Sequence, residues 1–462
     1  MSGIFGVVSK NDCVEDLFYI GDYHSHLGSQ FGGVAIYGDR MERRIHNISY
    51  SQFKSKLYED YQALKGTKGI GIIGYEEQPI YVKSKFGDFC LVVNGWIDNW
   101  KNLADELFAK GYSFSEVSDS RVNICELVSK LIVQKGSFIE GIEYMFSRIE
   151  GSVSLLILNK EGILAVRDKL GISTLTVGEK AGSWAIVSET TSFPNLEYKT
   201  VKCLLPGEVV FIGKEGMQQK QPGARNLKIC AFLWIYTGFP ASTYEGMNVE
   251  VVREKCGCLL AKDDRIHPDL AAGVPDSGTA HALGYAMCKK IPYRRPLVKY
   301  TPGYGRSYLP PSQQARDLVA KMKLIPIKEI IQGQKIVLCE DSIVRGTQLK
   351  NFTVQKLWNN QAKEVHVRTA CPPLAFPCKY NFSTRSKEEL AAHKAIKALE
   401  GKEMQDISEY IDDKSPKYEK MVSWIAHNLG VTSLKYQKLQ DMVKAIGLPK
   451  DNLCLYCWTG KL

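Results

Sequence analysis

The chain has 462 residues, of which 44% are hydrophobic and 24% charged, and it carries a net charge of +10. That length suggests about two to four domains, and that composition supplies ordinary globular cores. A basic balance suits a polyphosphate substrate as well as nucleic acid, but no Lys/Arg run is interleaved with aromatics, so nucleic acid is set aside. The opening Met1-Ser2-Gly3-Ile4-Phe5-Gly6 lacks the basic start and apolar length of a signal peptide. No apolar run reaches the ~18 residues of a membrane span. The thirteen cysteines are scattered and odd in number. They read as reduced thiols or metal ligands rather than a disulfide framework, with the cytoplasm as the expected address.

From residue 1 to about 225, short apolar runs alternate with Gly, Asp and Asn. Gly69-Ile70-Gly71-Ile72-Ile73, Phe89-Cys90-Leu91-Val92-Val93 and Val153-Ser154-Leu155-Leu156-Ile157-Leu158 predict buried strands. Helical patterns lie between them, at 98–110 and 120–135. Strands facing helices make a layered domain. The polar stretch 213–228 is rich in turn formers and marks the boundary of a domain at 1–225. From 229 to 462 the texture changes. Leu270–Val274, Val298-Lys299-Tyr300, Lys335-Ile336-Val337-Leu338-Cys339 and Glu364-Val365-His366-Val367-Arg368 each lead into a turn, loop or helix, which argues for a parallel doubly wound sheet. Residues 381–462 read as mostly helical and charged.

The strongest motif is Val337-Leu338-Cys339-Glu340-Asp341-Ser342-Ile343-Val344-Arg345-Gly346-Thr347. A hydrophobic strand runs into two adjacent acids, a small-residue turn and a helix. Carboxylates at a strand end can accept hydrogen bonds from vicinal ribose hydroxyls. The turn's N–H groups and the helix start can hold a phosphate, with the Ser342 and Thr347 hydroxyls as further donors. An acidic turn capping a helix with Asp341 or Ser342 would fit the same residue types.

As a string, the segment resembles the phosphoribosylpyrophosphate (PRPP) signature of type I phosphoribosyltransferases, in the version carried by the amidophosphoribosyltransferase family. The resemblance spans about residues 3–460. It implies an α+β N-terminal-nucleophile hydrolase-like αββα domain followed by an α/β type I phosphoribosyltransferase domain with a parallel sheet. In the second domain it implies PRPP contacts from Glu340, Asp341, Ser342, Val344, Arg345, Gly346 and Thr347. It adds Asp276 and Ser277 in Gly273-Val274-Pro275-Asp276-Ser277-Gly278, and Lys299 and Arg306 in a closing loop that continues to Pro311-Ser312-Gln313. That loop departs from the family: the usual Lys-Asn-Arg-Tyr start is Lys299-Tyr300-Thr301-Pro302, with one inserted residue and one cation fewer. Magnesium would lie at Asp341 and Ser277. The implied reaction joins Mg-PRPP and ammonia to give 5-phosphoribosylamine and pyrophosphate, the first step of purine biosynthesis. A transferase for another nucleophile, or a PRPP-binding regulator without catalysis, are the alternatives. Purine nucleotides are the implied inhibitors, and a homodimer or tetramer the implied assembly.

The first domain keeps the glutaminase scaffold of the family in Gly3-Ile4-Phe5-Gly6-Val7, Gln78-Pro79, Asn94-Gly95, Asp119, Arg167-Asp168, Gly171, Ser188-Glu189-Thr190 and Pro206-Gly207-Glu208. Its chemistry is eroded. The N-terminal cysteine nucleophile is Ser2, and a hydroxyl is a poorer nucleophile than a thiolate at neutral pH. The Gly-Ile-Gly-His-Val-Arg-Tyr segment appears as Gly69-Ile70-Gly71-Ile72-Ile73-Gly74-Tyr75, so the arginine that pairs with the glutamine carboxylate is Gly74. Asn94 and Gly95 match the oxyanion pair, but Trp96 replaces a smaller polar residue. These changes predict absent or very weak glutaminase activity.

Cys454-Leu455-Tyr456-Cys457 is a metal-type spacing. In the iron–sulfur branch of the family a similar ending supplies two ligands to a [4Fe-4S] cluster, and the other two positions match Cys230 and Cys378. Zinc would accept the same four thiolates. The other nine cysteines are expected to be buried apolar residues. Among them, Cys256-Gly257-Cys258 sits in a helical pattern and is read as packing.

Overall fold

Gly3–Ser9 is apolar enough to be buried at every position. It becomes an inner strand of an antiparallel seven-stranded sheet, between Lys68–Gly74 and Ser183–Val187. A second, six-stranded antiparallel sheet holds Gly87–Ile97 against Gly151–Leu158. The structure, a computed structural model, describes residues 2–28, 30–49, 51–118, 121–300, 323–381 and 386–462.

Alternation along each strand sorts side chains into layers. Ile4, Val8, Ile70, Ile72, Cys90, Val92, Leu156 and Ile163 meet between the two sheets. Phe5 and Val7, one step out of phase, pack with Leu17, Phe53 and Leu57 of helices Val14–Tyr23 and Phe53–Ala63. Phe89, Leu91 and Val93 pack with helices Trp100–Ala109, Ile124–Ile132 and Phe138–Arg148. The result is the αββα sandwich. The polar stretch expected to be boundary turns holds an edge strand, Gly216–Gln221, paired with Val209–Gly213. An edge strand has one hydrogen-bonded neighbour and keeps its outer side chains in water, so Gln218, Gln219 and Lys220 cost nothing there.

In the rest of the chain, Leu270–Gly273, Lys335–Glu340, Glu364–Thr369 and Ser433–Tyr436 lie side by side in that order, all parallel. One face packs on Leu260 and Tyr285 from helices Val249–Lys262 and Thr279–Lys289. The other packs on Leu349, Val354, Ile396 and Ile425. The chain divides into two compact units. The first is Met1–Cys230 with Ala241–Gly246 and Lys379–Phe382. The second is Ala231–Pro240, Met247–Cys378 and Ser383–Leu462.

The expectation of reduced thiols needs one correction. Cys258 and Cys288 form a disulfide with a Cα–Cα distance of 5.2 Å, inside the normal bridging range. Two glycines allow it. A Cβ at Gly257 would sit 1.8 Å from the His281 carbonyl oxygen, and one at Gly284 would sit 1.9 Å from that of Glu254. The two helices therefore touch backbone to backbone, and cysteines thirty residues apart become neighbours. Nor are all nine of the other cysteines buried: Cys203 and Cys258 are half-buried and Cys288 is exposed.

Candidate active site

Strand Lys335–Glu340 ends on the two acids, and its parallel neighbour Leu270–Gly273 ends beside it, with Gly273 in register with Cys339. The loop 274–278 folds back over that junction. Val274 N–H donates to the Cys339 carbonyl (2.9 Å), and Gly278 N–H donates to the Val274 carbonyl (2.8 Å). A Cβ at Gly278 would lie 2.3 Å from the Cys339 oxygen, so the loop closes this tightly only with glycine there. Helix Thr279–Lys289 starts at once, and its first N–H groups rise from the loop that holds Asp276 and Ser277.

Glu340 and Asp341 are buried, and Ser342 Oγ donates to Asp341 Oδ1 at 2.6 Å. Burial first, and then the Asp341 charge, hold the Glu340 carboxyl well above the usual carboxylate range. Beyond the acids, Gly346 takes φ 78° and opens the helical turn at Thr347. Val344 accepts a hydrogen bond from Ala391 N–H, and Arg345 pairs with Glu389 through Nε (3.1 Å) and Nη2 (2.5 Å). Glu389 was not foreseen, because nothing local in the sequence marks a partner forty-four residues away. Lys299 Nζ reaches Asp276 Oδ2 at 2.7 Å. The structure thus brings Asp276, Ser277 and Glu340–Thr347 to the carboxyl ends of adjoining parallel strands, where ligands of open α/β sheets bind. Lys299, expected in that sheet, lies instead on Leu297–Lys299, which pairs antiparallel with Leu324–Pro326, and reaches the loop through Asp276. Arg306 lies outside the described residues.

In the first unit, the Ser2 backbone N–H donates to the buried Asn94 Oδ1 at 3.2 Å. Gln78 steadies that strand by accepting from Val93 N–H at 2.7 Å. Gly95, at φ 147°, has no room for a side chain against the Ser152 carbonyl. A Cβ at position 74 would point to Ser2 Oγ, 3.0 Å away, so the side chain missing at Gly74 is one that would have run beside the hydroxyl. Asp119 lies outside the described residues. Arg167 and Asp168 serve the scaffold: Arg167 donates to the Ser173 and Gly171 carbonyls, and Asp168 accepts from Leu170, Ile172 and Ser173 N–H groups. Glu189 is fully buried. Burial alone would raise its carboxyl, but His26 at 2.7 Å, with the Tyr244 hydroxyl, holds it down at about 2.

The first unit matches a glutamine amidotransferase domain model over residues 70–195. The whole chain is 32% identical to the amidophosphoribosyltransferase of Methanocaldococcus jannaschii, over 100% of this chain and 97% of that one. The chain belongs to the amidophosphoribosyltransferase family. The Bacillus subtilis member is 28% identical over 99% of this chain and 93% of its own. The structure of glutamine PRPP amidotransferase from B. subtilis in complex with ADP and GMP superposes with a TM-score of 0.84 at 27% identity, covering 99% of this chain and 96% of that one. A structure described as the allosteric regulatory enzyme of purine biosynthesis gives 0.84 at 26% identity, covering 99% and 95%. The chain is thus an amidophosphoribosyltransferase-like pentosyltransferase. No helix among the described residues is long and apolar enough to cross a membrane.

Two of the cysteine positions pointed to by the family resemblance, Cys454 and Cys457, lie in the second unit near the chain end. The Cys457 carbonyl accepts from Ala375 (3.0 Å) and Phe376 (3.1 Å) N–H groups, beside the segment that reaches Cys378. In the first unit, Cys230 N–H donates to the Ile172 carbonyl at 3.0 Å. Among the described residues, no group of three or more His, Cys, Asp or Glu side chains stands close enough to hold a metal ion.

Proposed function

We propose that this family member transfers the phosphoribosyl group of Mg-PRPP to ammonia, giving 5-phosphoribosylamine and pyrophosphate, and makes little or no use of glutamine. The observation that carries the reading is the Glu340–Asp341 pair, set at the end of a parallel strand under the Gly273–Gly278 loop. Asp341 and Ser277 supply hard oxygen donors of the kind magnesium takes. Magnesium there would neutralise charge on the departing pyrophosphate. The chain's own part is to bind and orient. Asp341, steadied by Ser342, would accept the ribose hydroxyls. The 274–278 loop and the helix behind it would face the pyrophosphate, with Lys299, Arg306 and Arg345 as further cations. Among the described residues no side chain is placed here as a general base, which suits a reaction driven mainly by binding of the transition state.

Gly74 and Ser2 support the loss of glutamine use: the position facing the hydroxyl bears no cation, and the hydroxyl replaces a thiol. Purine nucleotides would regulate the enzyme, and it would act as a cytoplasmic homo-oligomer. By the family resemblance, Cys230, Cys378, Cys454 and Cys457 are the residues that would ligate a [4Fe-4S] cluster, which takes four thiolates; the described residues themselves bring no three such side chains close enough to hold a metal ion. Pyrophosphate release from Mg-PRPP with ammonium salt, and separately with glutamine, tests the transfer. Release with glutamine equal to that with ammonia would overturn the nitrogen-source reading. Iron and labile sulfide in protein purified without oxygen, absent from Cys457→Ser, test the cluster; stoichiometric zinc would refute it.

A further inference from the structure

Strand Gly87–Ile97 alternates its side chains between two layers. Cys90 and Val92 face the space between the sheets, whereas Leu91, Val93 and Ile97 face the helices. Asn94 and Trp96 continue the first series. Asn94 holds the Ser2 N–H, so Trp96 is the next side chain along the same face, about 7 Å further on. Trp96 is 9% exposed. The Arg121 guanidinium lies over that ring at 5.0 Å from the centroid. Arg121 Nη2 donates to Glu76 Oε1 at 2.7 Å, and Glu76 Oε2 accepts from Ile124 N–H at 3.0 Å. Trp96 Nε1 is itself tied to Asp98 Oδ1 at 3.4 Å. The side chains of Arg121 and Glu76 are only 21% and 11% exposed.

Glu76 stands two residues beyond Gly74, the position that faces the Ser2 hydroxyl. Arg121, brought from a different strand, pairs with this segment through Glu76. Its charge is already matched by Glu76 and its flat face already covered by Trp96. A free amino acid has a carboxylate that needs a cation and an amine that needs room, and here Arg121 is committed to Glu76 and Trp96, and the indole takes the next position along the face from Asn94.

We propose that Trp96, Arg121 and Glu76 together form a plug that sets what the Ser2 site admits, excluding any ligand of amino-acid length while leaving the hydroxyl open to smaller molecules. This deepens the proposed function and rests on its reading that glutamine is not the nitrogen source. Trp96 is the steric element. Arg121 and Glu76 are positioning residues that hold the ring in place.

The test uses the full chain carrying Ser2→Cys, with the N-terminal peptide followed by mass spectrometry. Two electrophiles are compared: iodoacetamide, and a chloroketone amino acid of glutamine length. In each case the thiolate displaces halide and a thioether forms. The expected chloroketone-to-iodoacetamide rate ratio is low in Ser2→Cys alone and rises about tenfold when Trp96→Ala is added. It rises less with Arg121→Ala and stays low with Trp96→Phe. Local unfolding would also raise the ratio, so each variant's urea midpoint is measured beside it: a rise with the midpoint unchanged supports the plug, and a rise that tracks a lowered midpoint overturns it. A ratio unmoved by both Trp96→Ala and Arg121→Ala overturns the plug. Ammonia-dependent pyrophosphate release by the unsubstituted chain is measured separately. Its failure would sink the transferase reading without touching the ratio, and an unmoved ratio would sink the plug without touching that release.

Discussion

Lys299 Nζ rests 2.7 Å from Asp276 Oδ2, so the strand Leu297–Lys299 and the loop over the neighbouring parallel strands are joined by one ion pair. Asp276 is 71% exposed, and such a pair adds little stability. On the proposed reading, its value would lie in holding a cation over the pyrophosphate position. Lys299→Ala is expected to weaken PRPP binding about tenfold, by calorimetry, with the melting temperature changed by no more than about 2 °C. Tight PRPP binding in this variant would show that Lys299 serves the loop alone.

Asp341 and Ser342 should differ in weight. Asp341 is the buried acid at the strand end, and Ser342 only orients it through one hydrogen bond of 2.6 Å. Asp341→Asn is expected to lower kcat/KM for PRPP by more than about a hundredfold, and Ser342→Ala by about three- to tenfold. Equal losses in the two variants would argue that the turn, rather than the carboxylate, is what PRPP needs.

Gly278→Ala places a methyl group 2.3 Å from the Cys339 carbonyl oxygen. That oxygen belongs to a central strand and cannot retreat, so the loop must lift. The expected cost is about 2 kcal/mol in a urea unfolding curve, together with loss of PRPP binding. Gly333→Ala is the control: its φ is also positive, at 73°, but a Cβ there meets nothing within 4 Å. It should lose about 1 kcal/mol and keep binding.

His24 makes stability depend on pH. Burial lowers its pKa from 6.5 to about 4, and the neutral ring donates from Nδ1 to the Ile20 carbonyl while Nε2 accepts from Glu189 N–H. Between those values the unfolded chain binds the proton and the folded chain does not. Stability from this group is therefore complete above pH 6.5 and is lost as pH falls towards 4, by about 3 kcal/mol in total. The urea midpoint should fall across that window, and His24→Gln should flatten the fall. A midpoint that rose on acidification would contradict the assigned ring state.

The strands and the phosphoribosyl motif were legible because each is local. Gly3–Ser9 and Lys335–Glu340 announce themselves by continuous apolar residues, and Glu340–Thr347 is one uninterrupted string. The strand Gly216–Gln221 was not legible: Gln218-Gln219-Lys220 shows no apolar signal, and only pairing with Val209–Gly213 makes it a strand. The Cys258–Cys288 bridge escaped for a related reason. Its cause is the contact of Gly257 with the backbone at His281, which two separate helical patterns do not reveal.

The sequence by itself determined the layered first domain, the parallel sheet of the second, the acid pair, and the residue types at Ser2 and Gly74, since each depends on residue type within a short span. Only the tertiary structure decided that Arg121 leaves solvent to lie on Trp96 and pair with Glu76, and that Glu389 holds Arg345. Hydrogen bonds and ring contacts form across a few ångströms of space, and residues 76, 96 and 121 share that space only once two sheets and their loops have packed.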